Sequence, residues 1–218
     1  MKKYKLTTET RQFAGRTLHR IKAVKDFDSI KAGEFGGWIE NEKNLSQDDN
    51  AWIYGEAMTF DNAKVCDCAE VHNNAKVFGN AKVFGHAKIL CNTKVFGNAN
   101  VFCYAKVYDD AKVYDNAKVC DDAEVNNNAN IFGNASIKGD AKVHDAVDYI
   151  VFKNFWSSGR YFTWTSSNNK WSVGCFYGTG EELIKKAYAD SEKSGREYER
   201  VVRYVESILA DEKKEKSN

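Results

Sequence analysis

Not one of the chain's 218 residues is proline, against an average usage of about 5%. Proline removes a ladder hydrogen bond from a strand, so its absence fits a chain made mostly of paired strands. Charge of one sign is also missing: 32 Lys and Arg face 31 Asp and Glu, a net charge of +1. That balance excludes a protein whose main work is holding bare nucleic acid by charge, and leaves room only for a local basic stripe. No run approaches the roughly 20 apolar residues of a membrane span. The opening Met1-Lys2-Lys3-Tyr4-Lys5-Leu6 has no apolar stretch behind its lysines, unlike a secretory signal, and the expected location is the cytoplasm. None of the six cysteines forms a C-x-x-C pair; Cys66 and Cys68 stand as C-x-C, and reduced, incidental thiols are expected. There is no P-loop, G-x-G-x-x-G or G-x-S-x-G, and Gly178-Thr179-Gly180 reads as a tight turn before a helix. No cofactor and no metal is expected.

What is present is a repeat. From Ala51 to Ala141 an alanine, or once Thr93, stands at every sixth position. Two places after each comes an aliphatic residue, from Ile53 to Val143, with Thr59 the one misfit in sixteen hexads. Residues two apart on a strand point to the same side, so the alanine and the valine face inward while the intervening lysine and the following aromatic face outward. The Gly, Asp or Asn pair that completes each hexad tolerates left-handed backbone angles and turns the chain. A short strand with a two-residue corner is one side of a prism, and three sides close a coil of 18 residues. Residues 51–146 then give a little over five coils, about 25 Å tall at the roughly 4.8 Å spacing of neighbouring strands.

These hexads, as in Val77-Phe78-Gly79-Asn80-Ala81-Lys82, resemble the hexapeptide-repeat family. The resemblance implies a left-handed parallel β-helix; the period of six alone does not fix the hand. The aromatic after the aliphatic residue departs from the family, which prefers a small or acidic residue there.

The ends lack the hexad. Residues 1–50 read as a β cap, with strands at Tyr4–Leu6 and Thr17–Val24 and a glycine-rich turn, Ala32–Ile39, into an apolar strand. Residues 147–218 read as a small α+β module. It has three strands (Tyr149–Phe152, Tyr161–Thr165, Trp171–Phe176) and helices opened by capping boxes at Thr179–Glu182 and Ser194–Glu197, with a frayed tail from Asp211. Trp156, Arg160, Tyr161, Trp164 and Trp171 are expected to pack mostly against the two helices. The fold class is therefore mainly β: a left-handed parallel β-helix with an N-terminal cap and a C-terminal α+β module. The segment Val173-Gly174-Cys175-Phe176-Tyr177-Gly178-Thr179-Gly180-Glu181-Glu182-Leu183 looks like a module at the ends of uncharacterised phage and prophage proteins. Val24-Lys25-Asp26-Phe27 and Gly36-Gly37-Trp38-Ile39-Glu40 are similar to the cap of the same group. The resemblance implies a phage origin, with the host cytoplasm as location, and supplies no catalytic residues.

Positions 18 apart stack. One outward column reads Phe60, Phe78, Phe96, Tyr114, Phe132, beside Met58, Lys76, Lys94, Lys112, Asn130. Such a ribbon serves as inter-coil packing, as a face for a protein partner, or as a platform for single-stranded nucleic acid. The acidic corners near Asp109, Asp115 and Asp121 oppose the last, so nucleic acid is not expected. The expected partner-binding residues are Phe60, Phe78, Phe96, Tyr114, Phe132, Lys76, Lys94, Lys112 and Arg160. Many hexapeptide-repeat proteins are acyltransferases with a histidine base, usually beside a loop expelled from the helix. Here no loop interrupts the hexads, so no wall for a pocket is expected near His72, His86 or His144. The leading expectation is a non-enzymatic phage-encoded protein presenting a rigid face to a host protein, as an inhibitor of host defence. The alternatives are a structural or self-assembling phage component, which with the binding reading allows a homo-oligomer, and a hexapeptide-repeat acyltransferase dependent on His86.

Overall fold

In the computed structural model, which describes residues 2–215, the hexads form sixteen two-residue parallel strands, from Trp52–Ile53 to Lys142–Val143. Each pairs with the strand one coil away, as Lys88 with Lys106 and Ile89 with Val107. They stack into three sheets. One face carries Glu70, Lys88, Lys106 and Glu124 as its outward residues, the second Lys76, Lys94 and Lys112, and the third Lys64, Lys82 and Lys118. The alanine and aliphatic columns are almost wholly buried and make one continuous core along the axis. The fold read from the hexads is the fold observed.

The corners explain the Gly, Asp and Asn content. Every residue four places after the column alanine, from Gly55 to Gly139, has a positive φ, the region that short polar residues and glycine tolerate best. Where it is Asp, the carboxylate also accepts the N–H of the corner one coil below: Asp61 from Gly79 at 3.1 Å, Asp67 from Gly85 at 2.9 Å, Asp121 from Gly139 at 3.1 Å. The acidic corners staple one coil to the next.

Two hydroxyls break the pattern. Thr59 and Thr93 are fully buried in the core columns, and neither Oγ1 has a hydrogen-bond partner. A buried donor without a partner costs roughly 1–3 kcal/mol, while an apolar group of the same shape costs nothing. Thr59→Val is therefore expected to raise unfolding free energy by about 1 kcal/mol, read as a higher urea midpoint with unchanged slope.

The N-terminal segment is a hairpin of β1 (Tyr4–Phe13) and β2 (Arg16–Ala23), followed by β3 (Phe35–Ile39). β1 is much longer than the three residues expected, with a bulge between Leu6 and Thr10. β3 then joins the solenoid: Trp38 pairs with Met58 and Leu45 bridges to Val65 in parallel. Gly36 and Gly37 let this strand press against the first hexads. A Cβ on Gly37 would stand 2.5 Å from the Ala57 carbonyl oxygen and 2.6 Å from Ile53 Cγ2. The buried Lys3 ammonium donates to the carbonyls of Asp48, Asp49 and Ala51 at 2.8–3.2 Å. Burial pulls its pKa down to about 8, against the opposing pull of Asp49 and Asp48.

The C-terminal sheet has four strands rather than three: Tyr149–Lys153, Tyr161–Thr165, Lys170–Val173 and Phe176–Gly178. The expected third strand is split because Gly174 adopts φ 56° and reverses the chain. Helix α1 (Gly180–Asp190) opens with the expected reciprocal Thr179–Glu182 cap. Helix α2 (Glu192–Glu215) starts earlier than Ser194, because Ser191 Oγ accepts the Ser194 N–H at 3.1 Å and takes the capping role. The expected frayed tail is helical from Asp211 to Glu215, and residues 216–218 lie outside the described ones. Phe162, Trp164 and Trp171 pack on Leu183, Ile184, Tyr198 and Val202, with Trp156 edge-on to Tyr198. Arg160 and Tyr161, expected in this cluster, are exposed instead.

The module closes the lower end of the solenoid with side chains. Thr163 Oγ1 accepts the Ser136 N–H at 2.9 Å, Ser167 Oγ accepts the Lys142 N–H at 2.8 Å, and Tyr149 OH donates to the Asn130 carbonyl at 2.7 Å. These groups would otherwise face open solvent where the next coil is missing. Among the described residues no helix is long and apolar enough to cross a membrane.

Candidate functional site

The charged face concentrates the groups able to move protons. Glu70 Oε2 lies 2.7 Å from His72 Nε2, and Glu70 Oε1 lies 3.0 Å from the Lys88 ammonium. Burial pushes the Glu70 carboxyl up, but the hydrogen bonds from His72 and Lys88 outweigh it and hold its pKa below the ordinary value. The His72 ring stacks on Tyr54 with centroids 4.1 Å apart. One coil further on, Lys106 pairs with Glu124 at 3.2 Å. Lower still, His144 Nδ1 meets Asn126, whose amide meets the Tyr108 hydroxyl.

Beside this charged column runs a corner column of Cys68, His86, Tyr104 and Asp122. Between the two lies a cleft of about 450 Å³. His86 stands in it, exposed, its ring stacked on Tyr104 at 4.9 Å. Among the described residues no hydrogen bond occupies either His86 ring nitrogen, which leaves both free for a ligand. His72 differs: its Nε2 is engaged by Glu70 and its ring is clamped. The expectation that unbroken hexads leave no wall for a pocket does not hold, because two columns of long side chains form walls without a loop. The sequence carried a signal for this column, since Glu70 and Lys88, then Lys106 and Glu124, are opposite charges 18 residues apart.

The aromatic column forms one vertical file. Centroids of Phe60, Phe78, Phe96, Tyr114 and Phe132 follow at 5.1, 4.9, 4.9 and 5.5 Å, with nearly parallel planes. It is less open than the sequence implies. Phe60 is buried beneath Phe13 and Leu18 of the N-terminal hairpin and Trp38 of β3, and Phe78 packs against the same cluster. Phe78, Phe96 and Tyr114 are half-buried, leaving Phe132 as the exposed member at 48%. Of the lysines alongside, Lys94 and Lys112 are exposed; Lys76 is half-buried, and burial followed by Lys94 and Arg11 lowers its pKa. Arg160 stands apart from this file, near Asn116 and Asn134 at the lower corner.

Two of the solenoid thiols are held in the unreactive form. Burial pushes Cys66 up to about 11 and Cys120 up to about 12, which keeps both protonated at neutral pH. Among the described residues no three His, Cys, Asp or Glu side chains converge on a point where a metal could sit.

No family model matches the chain. Over 74 residues it is 38% identical to the uncharacterized acetyltransferase YdcK of Escherichia coli (strain K12), a match covering 30% of this chain and 23% of that protein. The chain therefore spans about a quarter of the length of this relative. The similarity overturns the expectation of a non-enzymatic phage-encoded inhibitor of host defence. It is a likeness to an acetyltransferase, and it favours the acyltransferase alternative and an enzyme.

Proposed function

We propose that the protein is an acyltransferase of the hexapeptide-repeat kind, with His86 as its general base. The observation that carries the reading is a cleft holding an imidazole whose ring nitrogens have no hydrogen bond among the described residues, in a chain whose matched stretch resembles an acetyltransferase. The acceptor's O–H or N–H gives its proton to His86 as its oxygen or nitrogen attacks the thioester carbonyl carbon. The tetrahedral oxyanion that forms is stabilised by the ammonium groups of Lys88 and Lys106, which line the same cleft. Collapse re-forms the carbonyl and breaks the carbon–sulfur bond, and the departing thiolate takes the proton back from the imidazolium. Glu70 is a positioning residue, because it fixes Lys88 on one side and His72 on the other.

Acetyl-coenzyme A is expected to raise the thermal midpoint of the native protein. His86→Ala is expected to lower acetyl transfer to amine and hydroxyl acceptors by about 10²–10⁴-fold. Without donor its melting should match the native protein, since His86 is an exposed corner residue. Undiminished transfer in His86→Ala, or a native protein indifferent to the donor, overturns the reading.

A further inference from the structure

At another corner of the prism, where the last coils meet the C-terminal module, two adjoining hollows of about 290 and 540 Å³ share Asn134 and Tyr161. They differ in character. The first gathers Lys118, Lys138 and Arg160, with no carboxylate in its lining. Lys138 Nζ donates to the Gly174 carbonyl at 3.0 Å, and Arg160 Nη1 lies 3.7 Å from where a Gly174 Cβ would stand, so both cations are gathered at one point. Neither Lys118 nor Arg160 has an ion-pair partner among the described residues. The second hollow is walled by Phe132, Tyr149, Ile150 and Val151, and Phe132 and Tyr161 are the rings left open to solvent.

A second observation points to an anion here. Along this corner the Lys43 ammonium donates to Asn62 Oδ1 at 3.3 Å, and from Asn62 an amide chain runs head to tail. Asn62 donates to Asn80, Asn80 to Asn98 and Asn98 to Asn116, each at 3.2 Å. Such chains polarise cooperatively, so the donor character accumulates at the last member. The next corner shows how a chain of this kind is completed: Asn74 donates to Asn92, and Asn92 donates to the carboxylate of Asp110 at 3.2 Å. Among the described residues the Asn62 chain meets no carboxylate. Its last NH₂, on Asn116, lines the hollow of Lys118, Lys138 and Arg160. The corner acids flanking it are engaged by backbone: Asp115 accepts the Gly133 N–H and Asp121 the Gly139 N–H, each at 3.1 Å.

We infer that this double cleft binds a nucleoside phosphate. The phosphate oxygens accept from Arg160, Lys118, Lys138 and the Asn116 amide. The base stacks on the Phe132 and Tyr161 rings, an interaction open to any base because each has a π face. An anion alone leaves the apolar hollow empty, and an apolar ligand alone leaves the cations and the amide chain unanswered.

Isothermal titration of the full chain with ADP, adenosine and inorganic phosphate tests this. ADP is expected to bind, with adenosine and phosphate each at least about tenfold weaker. Arg160→Gln and Phe132→Ala are each expected to weaken ADP about tenfold, and Asn116→Asp, which turns the final donor into a carboxylate, by more. His86→Ala should bind ADP unchanged, because His86 lies on another corner; since acetyl-coenzyme A itself carries an adenosine diphosphate, it is the loss in Arg160→Gln and Phe132→Ala that assigns ADP to this cleft and separates it from the acyl-transfer reading. The inference is overturned if ADP does not bind at millimolar concentration, if phosphate alone binds as tightly, or if either Arg160→Gln or Phe132→Ala binds ADP as the native chain does.

Discussion

Val107→Asp is expected to leave no folded protein at 25 °C. Val107 is fully buried at mid-height, paired in the ladder with Ile89 above and Val125 below. The core columns around Val107 are alanine and aliphatic side chains, and among the described residues no cation shares them. Burying an unpaired ion costs several kcal/mol even after relaxation, which is of the order of a domain's whole stability, about 5–15 kcal/mol. Val107→Ala, which only removes methyl groups, is expected to cost about 2 kcal/mol and stay folded. Circular dichroism and urea unfolding of the pair separate the two costs. A cooperative, native-like transition in Val107→Asp would mean that water reaches the axis and that the core is not dry.

Gly37→Ala is the second large loss expected, about 3 kcal/mol. The added methyl meets a backbone oxygen, Ala57 O at 2.5 Å, as well as Ile53 Cγ2 at 2.6 Å. A side chain can rotate away, but Ala57 O already accepts from the Trp38 N–H at 2.9 Å, the bond that ties β3 to the first hexads. Relief therefore requires β3 to lift, which exposes Trp38, Ile39 and the buried face of Phe60 together. Gly15→Ala makes a useful control in its turn, where nothing stands within 4 Å of the new Cβ and only the positive φ of 75° is strained. The comparison is read from urea midpoints. Equal losses at the two positions would show that close approach is not what Gly37 provides.

The solenoid was legible because its determinants are local and periodic. Ala105 and Val107 need only their own hexad to face inward, and Asp109 needs only a short polar side chain to turn the corner. Legibility ended where periodicity did. The pairing of Trp38 with Met58 and of Leu45 with Val65 spans 20 residues rather than 18, so a search at the coil period steps over β3. Gly174 hid a strand reversal inside an apolar run, and Ser191 capped α2 three residues before the Ser-Gly-Arg-Glu pattern. The His86 cleft needed two columns read together: Glu70 and Lys88 are neighbours only after the chain has turned a full coil, and the cleft lies between their column and the one beside it. The aromatic file was read correctly as a file and too generously as a surface, because nothing in Phe60 itself reveals that the distant Phe13 and Leu18 lie over it.

The way the two extremities are finished limits what the molecule can build from itself. At the top the outermost strand, β1, is bulged between Leu6 and Thr10 and carries Lys5, Glu9 and Arg11, features that spoil a template for a foreign strand. At the bottom, hydroxyls of Thr163, Ser167 and Tyr149 already occupy peptide groups that a second copy would need. Among the described residues both poles are thus blunted against strand-on-strand pairing with a second copy.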